Sequence, residues 1–170
     1  RLLDERDGGS RAALSSDGAV VAAATADGTL RMFDTATLRP RSEVRCAPTE
    51  PYRIAVSTGG AWVACTSPNG GIAVVRGDGT AAFVTRPDTY QMQAIHDLAF
   101  HPSRATLAIA STRGGFLFDV DNLSTRRLAE DQDPRTGVAW SPNGALLTTA
   151  RVGGDIELFD ASGSQLRNLS

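Results

Sequence analysis

The chain has 170 residues, of which 41% are hydrophobic and 21% charged, and its formal net charge is −2. That length can bury a core, and the charge offers no basic field to draw nucleic acid or an anionic membrane. No apolar run approaches the roughly 20 residues of a membrane-spanning helix.

In chain order, the first clear element is the short apolar stretch Ala12-Ala13-Leu14, followed by the turn residues Ser16-Asp17-Gly18. A small, nearly continuous apolar run over 19–25 then reads as a strand buried on both faces. A glycine turn leads to Leu30-Arg31-Met32-Phe33-Asp34, and a more polar segment follows. The order repeats from Ile54-Ala55-Val56 through runs over 61–66 and 72–76 to a fourth segment at 81–84. It repeats again from Leu98-Ala99-Phe100 through 106–111 and 116–119 to Thr125-Arg126-Arg127-Leu128. The last copy runs from Val138-Ala139-Trp140, past Ser141-Pro142-Asn143-Gly144, to 145–150 and Ile156-Glu157-Leu158-Phe159-Asp160. Short strands joined by turn residues, with no sustained 3.6-residue apolar period, predict an all-β fold with little helix.

The copies are a true internal repeat. Laid without a gap on 127–170, residues 1–44 are identical at 12 of 44 positions, among them Ala13/Ala139, Ser15/Ser141, Gly18/Gly144, Phe33/Phe159 and Asp34/Asp160. The equivalent positions Leu14, Val56, Phe100 and Trp140 lie 42, 44 and 40 residues apart. A period of about 40–45 residues with four short strands is that of a β-propeller blade. One four-stranded sheet cannot cover both of its own apolar faces, and stacking against its neighbours seals them. Four four-stranded blades are expected, over approximately 8–45, 46–88, 89–131 and 132–170, with 1–7 as the tail of a preceding outer strand. The stub and the stop inside an outer strand predict part of a longer ring of about seven blades, or half a ring completed by a second chain.

The segments ending in Phe33-Asp34 and Phe159-Asp160 resemble the strand ending of WD repeats, and the turns at 15–18 and 141–144 resemble that family's Ser-Pro-Asp-Gly turn. The resemblance covers essentially the whole chain, and a TolB-type propeller is the second choice. Phe33, Val75, Phe118 and Phe159 stand where the family has Trp, and Arg76 replaces the following Asp in the second copy. No Gly-His pair precedes a first strand, so the family's His–Ser–Asp–Trp hydrogen-bond network is expected to be incomplete.

Residues that could carry chemistry are few. His101 occupies the turn position of Ser15 and Ser141 and reads as a turn residue, while His96 shares the parity of Leu98 and Phe100 and is expected on their face or near the channel. Cys46 and Cys65 have neither metal-ligand nor redox-pair spacing, and Cys65 reads as a buried thiol, with the redox compartment left open. The acidic stretches at 119–122 and 130–133 lack the pattern of a calcium loop and read as solvated turns. The glycine pairs at 59–60, 70–71, 114–115 and 153–154 read as hairpin geometry. Arg76-Gly77-Asp78 reads as a turn, and the first strands offer mainly Ala, Ile, Val and Leu where a channel enzyme needs converging polar groups.

No catalytic residue, metal site or cofactor is therefore assigned, and the chain is read as a non-catalytic protein-interaction scaffold. The connections between blades and the second turns of each blade are expected on one face. Tyr52, Tyr90, Met92, Arg113 and Arg151 are the candidate protein-binding residues there, in the aromatic and Arg composition of a hot spot. All 17 basic residues are Arg, a usage that points to a GC-rich bacterial source. By resemblance, such repeats form part of a larger bacterial signalling or regulatory protein in the cytoplasm. The alternative is a periplasmic or secreted propeller, as an envelope component or a channel-site enzyme. A protein partner is expected and neither nucleic acid nor membrane, with self-association a route to completing the ring.

Overall fold

The computed structural model describes residues 11–47, 51–67, 71–80 and 94–169. The stub 1–7, the expected fourth strand at 81–84, and the candidates Tyr90 and Met92 lie outside the described residues. The fold divides into two compact halves, Arg1–Arg86 and Pro87–Ser170.

In the first half, β1 (Ala12–Leu14), β2 (Val20–Ala24), β3 (Thr29–Asp34) and β4 (Pro40–Arg45) form a sheet in that order. A second sheet follows with β5 (Arg53–Val56), β6 (Trp62–Thr66) and β7 (Ile72–Arg76). In the second half, β8 (Ile95–Phe100), β9 (Thr106–Ser111), β10 (Gly114–Asp119) and β11 (Ser124–Arg127) form one antiparallel meander. β12 (Arg135–Trp140), β13 (Leu146–Arg151), β14 (Ile156–Asp160) and β15 (Gln165–Leu169) form the other. Among the described residues the only helical element is a single 3-10 turn, Thr58–Gly60.

The turn chemistry explains why the meanders form. Ser15 Oγ accepts the Val20 N–H at 3.0 Å, Asp17 accepts the Ser15 hydroxyl, and Gly18 takes φ +70°. The last sheet repeats this, with Leu146 N–H on Ser141 Oγ at 3.0 Å and the Ser141 hydroxyl on Asn143. At the third turns, Asp34, Asp119 and Asp160 each accept a backbone N–H two or three residues on, from Thr37, Asn122 and Ser162. The side chain fixes the turn, and the turn fixes the register of the strands it joins.

Each half has its own core. In the first, Val20, Ala22, Ala24, Leu30 and Met32 pack on Val56, Val63, Cys65 and Val75 of the second sheet. In the second, Ala108, Ala110, Leu117 and Leu128 pack on Val138, Leu147 and Phe159. The fourth strands are the polar ones, and β15 is exposed along its whole length.

The two outer faces of equivalent sheets differ sharply in exposure. Val20, Leu30 and Met32 are at most 1% exposed beneath the second sheet. Their equivalents Leu146 and Ile156, at the positions laid on Val20 and Leu30 by the repeat, are 37% and 43% exposed, and Leu169 beside Ile156 is 49% exposed.

Candidate interaction face and the seams between sheets

The connections between sheets meet the second turns, as the repeat predicts, and they do so separately in each half. In the first half, Gly28 O accepts the N–H of both Cys46 and Ala47, and Tyr52 N–H donates to Thr66 O at 2.8 Å. Tyr52 is 41% exposed, and its ring lies between two guanidinium groups, Arg53 at 4.3 Å and Arg11 at 4.9 Å from the centroid. Such contacts are worth about 0.5–1 kcal/mol at exposed sites. Beside them Asp27 accepts from the Thr25 hydroxyl and from the N–H and hydroxyl of Thr29, which lowers its pKa to about 2.

In the second half, Arg113 and Arg151 bind the connection. Arg113 Nη1 donates to Gln132 Oε1 at 3.3 Å, and Arg151 Nη2 reaches Asp131 at 2.9 Å and Asp133 at 2.6 Å. Arg127 lies over the Phe116 ring and donates to the Arg113 carbonyl. The acidic stretch at 130–133, read from sequence as solvated, is thus drawn into an ion-pair cluster.

That cluster centres on Arg135, the first residue of β12, which is 1% exposed. Its guanidinium grips Asp131 with both nitrogens, at 2.8 and 3.2 Å, and Glu157 at 2.7 Å. Glu157 is also 1% exposed and accepts from Thr149 Oγ1 at 2.9 Å and Gln165 Nε2 at 3.4 Å. Hydrogen bonding from Arg135 holds the Asp131 carboxyl below its ordinary range, aided by the two arginine charges. Burial opposes the charge on Arg135, but Asp131 and Glu157 outweigh it and raise its pKa. Most polar groups of the seam therefore pair with one another. Nε of Arg135 and Nε of Arg151 are buried without a hydrogen-bond partner, and Asp131 and Gln165 also line a surface cavity with Arg127 and Glu130. The sequence offered one partial signal for this cluster, the parity of Glu157, and none for its partners. Glu157 shares the inward parity of Phe159, and a buried carboxylate needs a cation.

The equivalent seam in the first half is covalent. Cys46 and Cys65 form a disulfide, with Cα atoms 6.2 Å apart across 19 residues. This corrects the reading of Cys65 as a buried thiol. Residues distant along the chain meet because Cys46 directly follows β4 and Cys65 lies in β6 of the facing sheet.

At the other end of the second-half seam, His101 is 3% exposed. Its Nδ1 accepts the N–H groups of Ser103 and Arg104, each at 3.1 Å, which leaves the proton on Nε2 to bond Gly144 O at 3.1 Å. The ring meets Trp140 edge-on at 4.7 Å, and Trp140 Nε1 donates to Ala99 O. Burial, with the charge of Arg104, pushes the imidazole pKa down from its usual value. His101 is thus the turn residue expected and also a clamp between sheets. A β-bulge between Ile95 and Asp97 removes His96 from the ladder, so it does not share the face of Leu98 and Phe100; its ring meets Thr112 Oγ1.

Among the described residues no three His, Cys, Asp or Glu side chains form a group that could hold a metal ion. No helix there is long and apolar enough to cross a membrane.

Comparison with known proteins agrees with this geometry. The model of the WD domain, G-beta repeat, matches residues 10–34. A search of curated proteins found no match. Among solved structures, the β-propeller domain of Cps50 (Swd1) from Myceliophteria thermophila aligns with TM-score 0.76 at 15% identity, over 95% of this chain and 55% of that one. Hydrazine synthase from Kuenenia stuttgartiensis aligns with TM-score 0.67 at 18% identity, over 95% of this chain and 49% of that one. The dihydro-heme d1 dehydrogenase NirN, in complex with DHE, aligns with TM-score 0.68 at 23% identity, over 95% and 36%. The chain therefore spans about half, or less, of the length of these structures, and the likeness to them is one of fold. With the repeat match at residues 10–34 and the propeller fold of its structural neighbours, the chain is a β-propeller segment that resembles the WD repeats.

Proposed function

We propose that the chain is a non-catalytic protein-interaction platform, a WD-repeat segment of a larger bacterial regulatory protein. The observation that carries the reading is Tyr52, a partly exposed ring fixed by its backbone to the end of β6 and flanked by Arg11 and Arg53. A rigid aromatic with adjacent guanidinium groups is the composition that dominates binding energy at protein interfaces. In the second half, Arg113 and Arg151 hold the connection at 130–134 in place.

Two of the structural neighbours are named as enzymes, a synthase and a dehydrogenase. What supports the non-catalytic reading is that the charged side chains of the second half pair with one another, Arg135 with Asp131 and Glu157.

Affinity capture from the source organism tests the proposal, with Tyr52→Ala and Arg53→Glu combined in the bait. The proposed face predicts loss of a partner that the unaltered protein retains, with an unchanged circular dichroism spectrum. Retention of the same partner by the folded variant would move the interface elsewhere.

A further inference from the structure

The seam between the first two sheets carries a feature that the interaction reading does not use. Cys46 and Cys65 are 3% and 1% exposed and sit in an apolar core with Val44, Ala47, Ile54 and Ala73. The second half shows what else this position can be. Asp131, Thr149 and Glu157 stand 84 residues after Ala47, Cys65 and Ala73, and they hold their seam with ions and hydrogen bonds. The strand registers agree, since Cys65 faces Ala73 and Thr149 faces Glu157. The first half has no polar counterpart there, and its cross-link spans the two sheets directly.

We propose that oxidation of Cys46 and Cys65 is a maturation step of this protein, carried out by a disulfide-bearing oxidant, and that this part of the chain works in an oxidising compartment. One cysteine thiolate attacks the oxidant's disulfide, giving a mixed disulfide and releasing one oxidant thiol. The second cysteine thiolate attacks the mixed disulfide, forming the Cys46–Cys65 bond and releasing the other oxidant thiol. Two cysteine thiols lose two protons and two electrons, and the oxidant's disulfide gains them.

Burial fixes the order of events. A thiolate is disfavoured in apolar surroundings and a reagent cannot reach it there, so exchange precedes closure of the two sheets. Once closed, the bond is hidden from the small thiols that keep cytosolic cysteines reduced. The envelope or secreted location therefore stands above the cytoplasmic one expected from the resemblance. This inference is independent of where a partner binds.

The test uses the full-length protein from its source cells, with thiols trapped by acid and then alkylated under denaturing conditions. Trypsin cleaves after Arg45, Arg53 and Arg76, so the bond joins peptides 46–53 and 54–76. The linked pair is expected without reductant, and two alkylated cysteines only after reduction. Quantitative alkylation of both cysteines before reduction would overturn the proposal. A second measurement compares melting of the unaltered protein and the Cys46→Ala/Cys65→Ala variant, each with and without reductant added in denaturant and kept through refolding, so that the buried bond is reached. Reductant is expected to lower the melting temperature of the first to that of the second and to leave the second unmoved. An unaltered protein indifferent to reductant would also count against the proposal.

Discussion

At the scale of single residues, His101 shows how one turn position takes on a second task. Its two ring nitrogens complete the turn after β8 and clamp the β12–β13 turn through the Gly144 carbonyl. A Cβ on Gly144 would lie 2.4 Å from the imidazole, and Gly144 takes φ +70°, so glycine is required on both counts. Because the folded pKa is depressed, the unfolded chain takes up a proton first as pH falls below about 6.5. Stability is therefore expected to fall between pH 7.5 and 5.5, by at most about 1.4 kcal/mol per pH unit. Urea midpoints across that window check this. His101→Gln should be less stable at pH 7.5 and lose the slope, and an unchanged slope would assign it to other groups.

At the scale of elements, the two seams occupy equivalent places with different chemistry. For a sequence separation of 19 between the cysteines, loop-closure entropy puts the cross-link at about 3 kcal/mol. The ionic seam is worth less than its short distances suggest, because burying charge costs nearly as much as pairing returns. Removing one partner is another matter. Arg135→Met strands Glu157 in the core and is expected to cost about 3–5 kcal/mol in urea unfolding. Arg135→Met combined with Glu157→Leu should recover most of that loss, and strictly additive losses would mean that the pair is not coupled. The strands and turns of both seams were legible in the sequence, since the Ser-Asp-Gly and Ser-Pro-Asn-Gly turns and the small apolar runs act locally. The seams themselves were not. Cys46 meets Cys65, and Asp131 meets Arg135 and Glu157, only once two sheets face each other. A run such as Glu130-Asp131-Gln132-Asp133 gives no sign by itself of the guanidinium groups that fold over it.

At the scale of the whole chain, the 42-residue period was the decisive signal, because each sheet repeats one solution to the problem of covering two apolar faces. The candidate face was legible only as a set of connections and turns. Tyr52 is partly exposed on its connection, while Arg113 and Arg151 bind their own connection, a role that spacing alone does not reveal. Leu146, Ile156 and Leu169 mark a sheet face like the one that Val20 and Leu30 bury completely. Another sheet of the same kind is the natural cover for it. Prepared without such a cover, the 170-residue chain is expected to be sticky. Sedimentation should show mass rising with concentration, and Ile156→Arg with Leu169→Arg should return it to a monomer with little change in melting temperature. A chain that stays monomeric without those changes would mean that this face needs no cover. A row of aliphatic side chains open to solvent limits solubility more than a net charge of −2 can offset, so the concentration at which this chain is handled is set by that one sheet face.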